Sequence, residues 1–321
     1  MITAVIKKAW LVALLLFFSG SLHAEIYRCA DGKLFQDRPC VGDAVTNTVI
    51  EPGRHFLWQA SAGKGTLYLL GSIHFGTQEM YPLPAVITSA FSRSDSLVVE
   101  ANILDVDPLQ MMQLITEKAL YHDGSTLQQH LSAATWQKLT SVAADLNISL
   151  EMVNQQKPWF VSMTLSALAL NRLGYSEELG IDRHFLTLAQ GRKKIIELES
   201  LAWQLGLFDK LTAEEQAAML EETLRELNDG KAFFERMLRA WKRGDAAGIQ
   251  ALFDEGLLKN PGAERVNQII LLDRNRSMAE SLEKLANQGG SYFVVVGAGH
   301  LTGDEGIIAL LKRRGYKVQQ Q

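Results

Sequence analysis

The chain has 321 residues but only two cysteines, Cys29 and Cys40, and a lone pair is too few for a thiolate zinc site. It has no excess of basic residues either. Its 32 Lys and Arg against 36 Asp and Glu give a net charge of -4, and no stripe of basic side chains stands out. Nucleic acid is thereby excluded as a partner. After residue 24 no apolar run is long enough to span a bilayer. Several catalytic signatures are also missing. There is no Gly-x-Ser-x-Gly elbow, no His-Glu-x-x-His helix and no phosphate-binding loop. Gly297-Ala298-Gly299 holds only the first two glycines of a dinucleotide fingerprint. Internal repeats and low-complexity segments are absent as well.

The first 24 residues have the layout of a secretory signal. Lys7 and Lys8 precede an apolar stretch from Ala9 to Phe18, small residues break it at Ser19 to Ser21, and Ala24 offers the cleavage point. The uncharged run from Ala9 to Leu22 is short for a membrane anchor, so cleavage and a periplasmic or secreted product are expected. In such an oxidising compartment Cys29 and Cys40 are expected to pair. Residues 25–50 read as a small hairpin unit, two short alternating runs around Asp31-Gly32. The segment IYRCADGKLFQDRPC resembles the small envelope-protein domain known as DUF4124.

Residues 54–321 read as one α/β domain, its 47% apolar composition supporting a large core. A hairpin is expected where Phe56 to Trp58 and Thr66 to Leu70 bracket the turn 60–65, and a helix after Pro84. Buried strands are expected at Ser96 to Glu100 and Ser291 to Val296, and Lys194 to Leu198 also has strand character. Residues 107–190 form a large helical insertion, expected to lie over the strand ends. Thr212 and Glu215 make a capping box that opens a helical stretch reaching Glu255, punctuated near 229 and 244. Further helices are expected over 278–285 and 306–314, with a last edge strand at Tyr316 to Val318.

The chemistry stands at the ends of these strands. Leu67 to Leu70 runs into Gly71-Ser72-Ile73-His74, and Phe293 to Val296 into Gly297-Ala298-Gly299-His300. Leu97 to Val99 runs into Glu100, and Ile195 to Leu198 into Glu199. If the four strands are parallel neighbours, two imidazoles and two carboxylates meet at the edge where α/β domains build their sites. Neutral imidazole with carboxylate suits manganese, cobalt, zinc or iron, and a bound divalent metal makes water a usable nucleophile. His74, His300, Glu100 and Glu199 are therefore the candidate ligands, with Glu100 as ligand or general base. Glu197 reads as a solvated or helix-paired strand residue. His55, His122, His130 and His184 lack this context and read as surface or core histidines.

The ordered segments LYLLGSIHFG, YPLP, DSLVVEAN, GIDRHFLTLAQGRKKIIELES, LLDRNRSMAESL and VVVGAGHLTGDEGIIALLKRRGYKV resemble the motif series of the TraB/GumN family. The likeness runs from about residue 56 to 319. That family is related to the Tiki proteins, metal-dependent proteases with paired Gly-x-x-His motifs. The resemblance implies that His74, Glu100 and His300 belong to one site of a metal-dependent peptidase or related hydrolase acting on a peptide or protein. It also implies roles for Asp182, Glu199, Arg274 and Asn275, the last two by orienting a peptide or stabilising an oxyanion. Plainer alternatives are that Asp182 caps the helix from Arg183 and that Arg274 pairs with a carboxylate. Two rival functions remain open: peptide sequestration without cleavage, and binding of haem or another iron ligand.

Overall fold

The computed structural model describes residues 27–28, 35–36, 53–62, 64–227, 230–259 and 263–321. The signal segment and the Cys29–Cys40 pairing lie outside them. The chain divides into two units, Met1–Gly53 and Arg54–Gln321. In the first, β1 (Tyr27–Arg28) and β2 (Phe35–Gln36) pair antiparallel, as the Asp-Gly turn predicts.

The second unit is built on a six-stranded sheet. Its strands are β3 (Leu57–Ala62), β4 (Gly65–Ser72), β5 (Ser96–Val99), β6 (Lys194–Glu197), β7 (Gly290–Gly297) and β8 (Lys317–Gln320). They lie in the order β6-β5-β7-β4-β3-β8. β6, β5, β7 and β4 are parallel neighbours, the condition on which the convergence of His74, Glu100, Glu199 and His300 depends. β3 runs against both of its neighbours. The first hairpin is tighter than expected. β3 continues to Ala62 and β4 begins at Gly65, so residues 60–62 belong to the ladder, with Ala60 opposite Leu67. β7 is the central buried strand, with Phe293 to Val296 fully enclosed. β6 is an edge strand with exposed Lys194 and Glu197. Its apolar residues, Ile195 and Ile196, are only half-buried because nothing pairs beyond it in the sheet.

Fourteen helices are described: α1 (Ala85–Arg93), α2 (Pro108–Ala119), α3 (Ala133–Asp145), α4 (Leu150–Val153), α5 (Pro158–Arg172), α6 (Ile181–Ala189) and α7 (Leu201–Gly206) in the first half. The second half adds α8 (Ala213–Glu226), α9 (Gly230–Lys242), α10 (Ala246–Lys259), α11 (Ala263–Asn267), α12 (Asp273–Gln288), α13 (Ala298–Leu301) and α14 (Ile307–Arg313). α1 and α6 share one face of the sheet, where Phe91, Phe185 and Phe293 meet with ring centroids 4.7–5.5 Å apart. α8 opens on the expected capping box, Thr212 and Glu215 each bonding the other's backbone N–H.

The helical insertion has a core of its own. Leu127, Leu139, Val153, Val161 and Leu165 pack with Leu220 and Leu224, which α8 contributes from later in the chain. The insertion leaves from the C-terminal end of β5 and returns at the C-terminal end of β4. There Gly76 and Ser176 exchange backbone hydrogen bonds of 2.9 Å, and Ile181 N–H donates to the Ile73 carbonyl at 3.0 Å. Both of its ends thus reach the predicted site. It does not close that edge, because the His74 side chain stays 62% exposed. Among the described residues, no helix is long and apolar enough to cross a membrane.

Candidate metal centre at the strand ends

Strand register sets the level of the site. Ser72 lies opposite Gly297, and Val99 opposite both Val295 and Glu197. Glu100, the Gly71–His74 turn and the Gly297–His300 turn therefore emerge side by side. Glu199 joins them as its N–H donates to the Glu100 carbonyl at 2.8 Å. Each glycine makes room for a neighbour. A Cβ on Gly71 would fall 2.3 Å from the Phe56 ring. A Cβ on Gly297 would stand 3.3 Å from Glu100 Oε1, 3.5 Å from His300 Cδ2 and 3.8 Å from His74 Nε2. The missing methyl group leaves the space that all three side chains face. The two imidazoles accordingly come within the sum of the last two distances, about 7 Å, of each other.

Both imidazoles are held by their far nitrogen. His74 Nδ1 lies 2.8 Å from Asp182 Oδ2, and Ser72 Oγ donates to Asp182 Oδ1 at 2.7 Å. A carboxylate only accepts, so His74 Nδ1 carries a proton, and Nε2 is a free acceptor only in the neutral imidazole. Asp182 lies inside the first turn of α6, whose N-cap is Gly180. The capping alternative for Asp182 therefore does not hold. Its side chain is used on β4 instead. His300, 7% exposed, places Nδ1 2.6 Å from Asn275 Oδ1 and Nε2 3.6 Å from Glu100 Oε1.

Glu100 is the centre of the charge network. Its Oε1 accepts the Gly297 N–H at 2.6 Å, and its Oε2 accepts from Arg274 at 2.6 Å and from Gln204 at 3.3 Å. Arg274 also grips Glu199 through two nitrogens, at 2.7–3.2 Å, and donates to the Ile270 carbonyl at 3.0 Å. Glu199 is only 4% exposed and takes a further bond from Gln204 at 2.8 Å. Glu199 thus faces the guanidinium. In the described contacts it is a partner of Arg274, which agrees with the plainer alternative for that arginine. Arg274 and Asn275 are consecutive yet both buried toward the cluster, where consecutive helix residues ordinarily diverge. A π-helical turn, Gln268–Leu272, lies just before them, a feature common at functional sites.

Protonation differs between the two histidines. The Asp182 carboxylate is the main influence on His74 and raises it to about 9, so the metal-free imidazole is protonated at neutral pH and an ion has to replace its Nε2 proton. The exposed side chain lets water screen that pair and limits the displacement. Burial dominates at His300 and lowers it to about 4. For Glu100 burial acts upward, and the charges of His300, Arg274 and His74 with the Gly297 N–H hold it down at about 2.

The sequence reading missed Gln204, Asp182's bond to Ser72, and Glu177. Burial raises the Glu177 carboxyl, with Arg183 and His74 opposing. No quoted motif contains Gln204 or Glu177, and only the return of residues 176–182 to β4 brings the Ser72–Asp182 bond and Glu177 to this edge. Glu197, read as solvated, anchors a loop by accepting the Asn102 N–H at 2.6 Å. The other histidines are local. His122 faces carbonyls of Thr116 and Glu117, His130 stacks on Tyr121, and His184 lies against Tyr81 and Phe185.

Among the described residues, no three His, Cys, Asp or Glu side chains form a ready ligand set. The donor chemistry nevertheless fits a divalent ion. His74 Nε2, the Cδ2 edge of His300 and a Glu100 oxygen border one glycine-cleared space, and each imidazole Nδ1 faces an acceptor, as is usual for metal-ligating histidines. Two donors about 2.1 Å from one ion stand roughly 3.4 Å apart in a tetrahedral site. The 3.6 Å between His300 Nε2 and Glu100 Oε1 matches that spacing, and His74, on the open side, has to swing inward.

A parallel strand-end site with paired Gly-x-x-His turns defines the class, and comparison with known proteins gives the family. The TraB/PrgY/gumN family profile matches residues 56–320, and the chain belongs to that family. Two relatives, uncharacterised proteins called YbaP from Escherichia coli strain K12 and Shigella flexneri, are each 27% identical over 265 residues, covering 81% of this chain and 94% of theirs. An uncharacterised protein of Treponema pallidum is 21% identical over 280 residues, 83% of each chain. No solved structure matches.

Proposed function

We propose that the protein is a metal-dependent hydrolase of the cell envelope, acting on peptide bonds, with His74, His300 and Glu100 holding one divalent ion. The observation that carries the reading is the space beside Gly297, bordered by Glu100 Oε1, His74 Nε2 and the His300 ring edge at Cδ2, with His300 Nε2 3.6 Å from Glu100 Oε1. Manganese, cobalt, zinc or iron suits such donors. When bound, the ion supplies a Lewis acid that makes water a nucleophile near neutral pH.

The protein's own groups divide the remaining work. Asp182 and Asn275 aim the two imidazoles. Glu100, held at about 2, is a poor proton acceptor at neutral pH and a good anionic ligand, which favours ligation over the base role. Arg274 offsets the negative charge of Glu100 and Glu199. With its guanidinium engaged by three acceptor residues and the Asn275 amide engaged at both ends, neither is free to stabilise an oxyanion. The substrate approaches from the side of exposed His74. The periplasmic or secreted location follows from the expected signal segment.

The test is a peptide-library cleavage assay on mature protein, with and without chelator. Cleavage that chelator abolishes and added metal restores supports hydrolysis. One observation favours capture without cleavage: Glu100 already accepts bonds from Gly297, Arg274 and Gln204. Peptides that bind intact at every metal tested would establish that second reading.

A further inference from the structure

The geometry points to Asn275 as a positioning residue that fixes the tautomer of His300, putting the proton on Nδ1 and leaving Nε2, 3.6 Å from Glu100 Oε1, without one. The Asn275 side chain is 1% exposed and its two ends have different partners. Nδ2 donates to the Glu305 carbonyl at 3.0 Å. A carbonyl can only accept, so the amide cannot be flipped, and Oδ1 must face His300. Oδ1 in turn can only accept, and it lies 2.6 Å from His300 Nδ1. Nδ1 therefore donates.

The other tautomer sets two acceptors against each other in a buried site. Nε2–H could then donate toward Glu100 across 3.6 Å, a poor hydrogen bond, while Nδ1 and Oδ1 faced one another at 2.6 Å without a proton. The balance favours Nδ1–H by roughly tenfold or more. At His74 the acceptor on Nδ1 is the Asp182 carboxylate, where Asn275 uses a neutral amide. The choice suits a floor that already holds Glu100 and Glu199. Loop 302–306 takes part at a distance, because the Glu305 carbonyl sets the amide and the amide sets the imidazole. The inference concerns the metal-free protein and stands apart from the hydrolase reading.

The experiment is 15N NMR of the imidazole nitrogens in chelator-treated protein at neutral pH, with the His300 signals assigned by their loss in H300Q. Wild type is expected to show a protonated-type Nδ1 and a bare Nε2. In N275A the proton is expected to move to Nε2 in a substantial fraction of molecules. N275D, which keeps an acceptor of the same size, is expected to keep Nδ1 protonated. A purely structural role would lower stability without moving the proton. A bare Nδ1 in wild type or in N275D, or a folded N275A with the wild-type pattern, overturns the inference. Should N275A fail to fold, wild type and N275D decide. A negative result here leaves the cleavage assay untouched, and the reverse also holds.

Discussion

Removing Arg274 should leave two buried carboxylates with no cation between them. Glu100 and Glu199 are 12% and 4% exposed, and Arg274 binds both within 2.7 Å. Taking away one partner of a buried ion pair costs about 3–5 kcal/mol, since the remaining charge stays desolvated. Arg274→Met keeps the apolar stem and removes only the charge and its hydrogen bonds. For a domain of this size the loss corresponds to a fall in Tm of roughly 6–20 °C. Urea unfolding of chelator-treated wild type and R274M measures it directly. The pH dependence gives a second check. With no guanidinium the two carboxylates repel, and the Glu100 carboxyl loses one of the charges that hold it at about 2. Its folded value rises, so protonation relieves the penalty, and the gap between wild type and R274M should narrow on going from neutral to mildly acidic pH. E199Q combined with R274M should recover part of the loss. A variant within about 0.5 kcal/mol of wild type at neutral pH, the range of inert surface changes, would falsify the role given to this network.

The other expectations can be tested on the same metal-free protein. His300 is lowered to about 4 from 6.5, so the unfolded chain binds more protons in that window, and stability should fall as pH drops through it; H300Q should flatten the slope in an unfolding titration. His74 is raised, so its contribution should be complete below 6.5 and lost as pH rises toward about 9, and D182N should abolish that alkaline loss. Gly71→Ala should destabilise by about 1–3 kcal/mol, because its Cβ would meet the Phe56 ring at 2.3 Å; an unchanged Tm would contradict this packing. Gly297→Ala, whose Cβ meets its neighbours only at 3.3–3.8 Å, should fold normally and lose metal affinity, since the methyl group occupies the space the three donors share.

Much of this architecture is legible from local pattern. The apolar runs of β4, β5 and β7 are read from composition because both faces are buried. Their parallel order is not legible, since it depends on pairing between residues such as Leu70 and Val295 that lie far apart in the chain. The edge position of β6 is hidden for a related reason: its short apolar run reads as a strand, and only the sheet order places it at the edge. Asp182 gives an ambiguous local signal, because an acidic residue at a helix start also looks like a cap. Its partners, Ser72 and His74, lie more than 100 residues away. Glu100 and Glu199 looked equivalent, each closing a strand. What separates them is the histidine side, where Glu100 Oε1 lies 3.6 Å from His300 Nε2; Arg274, which binds both, arrives on α12 after a π-helical turn that no apolar periodicity announced.

The most direct test of the proposed centre is cobalt(II) titration of chelator-treated mature protein, followed by visible absorption. One equivalent should bind wild type with the intense d–d bands of low-coordinate cobalt, and H74A, H300A and G297A, checked for folding, should lose those bands. Wild type that takes up no cobalt, or variants that bind it unchanged, would contradict a shared His74–Glu100–His300 centre.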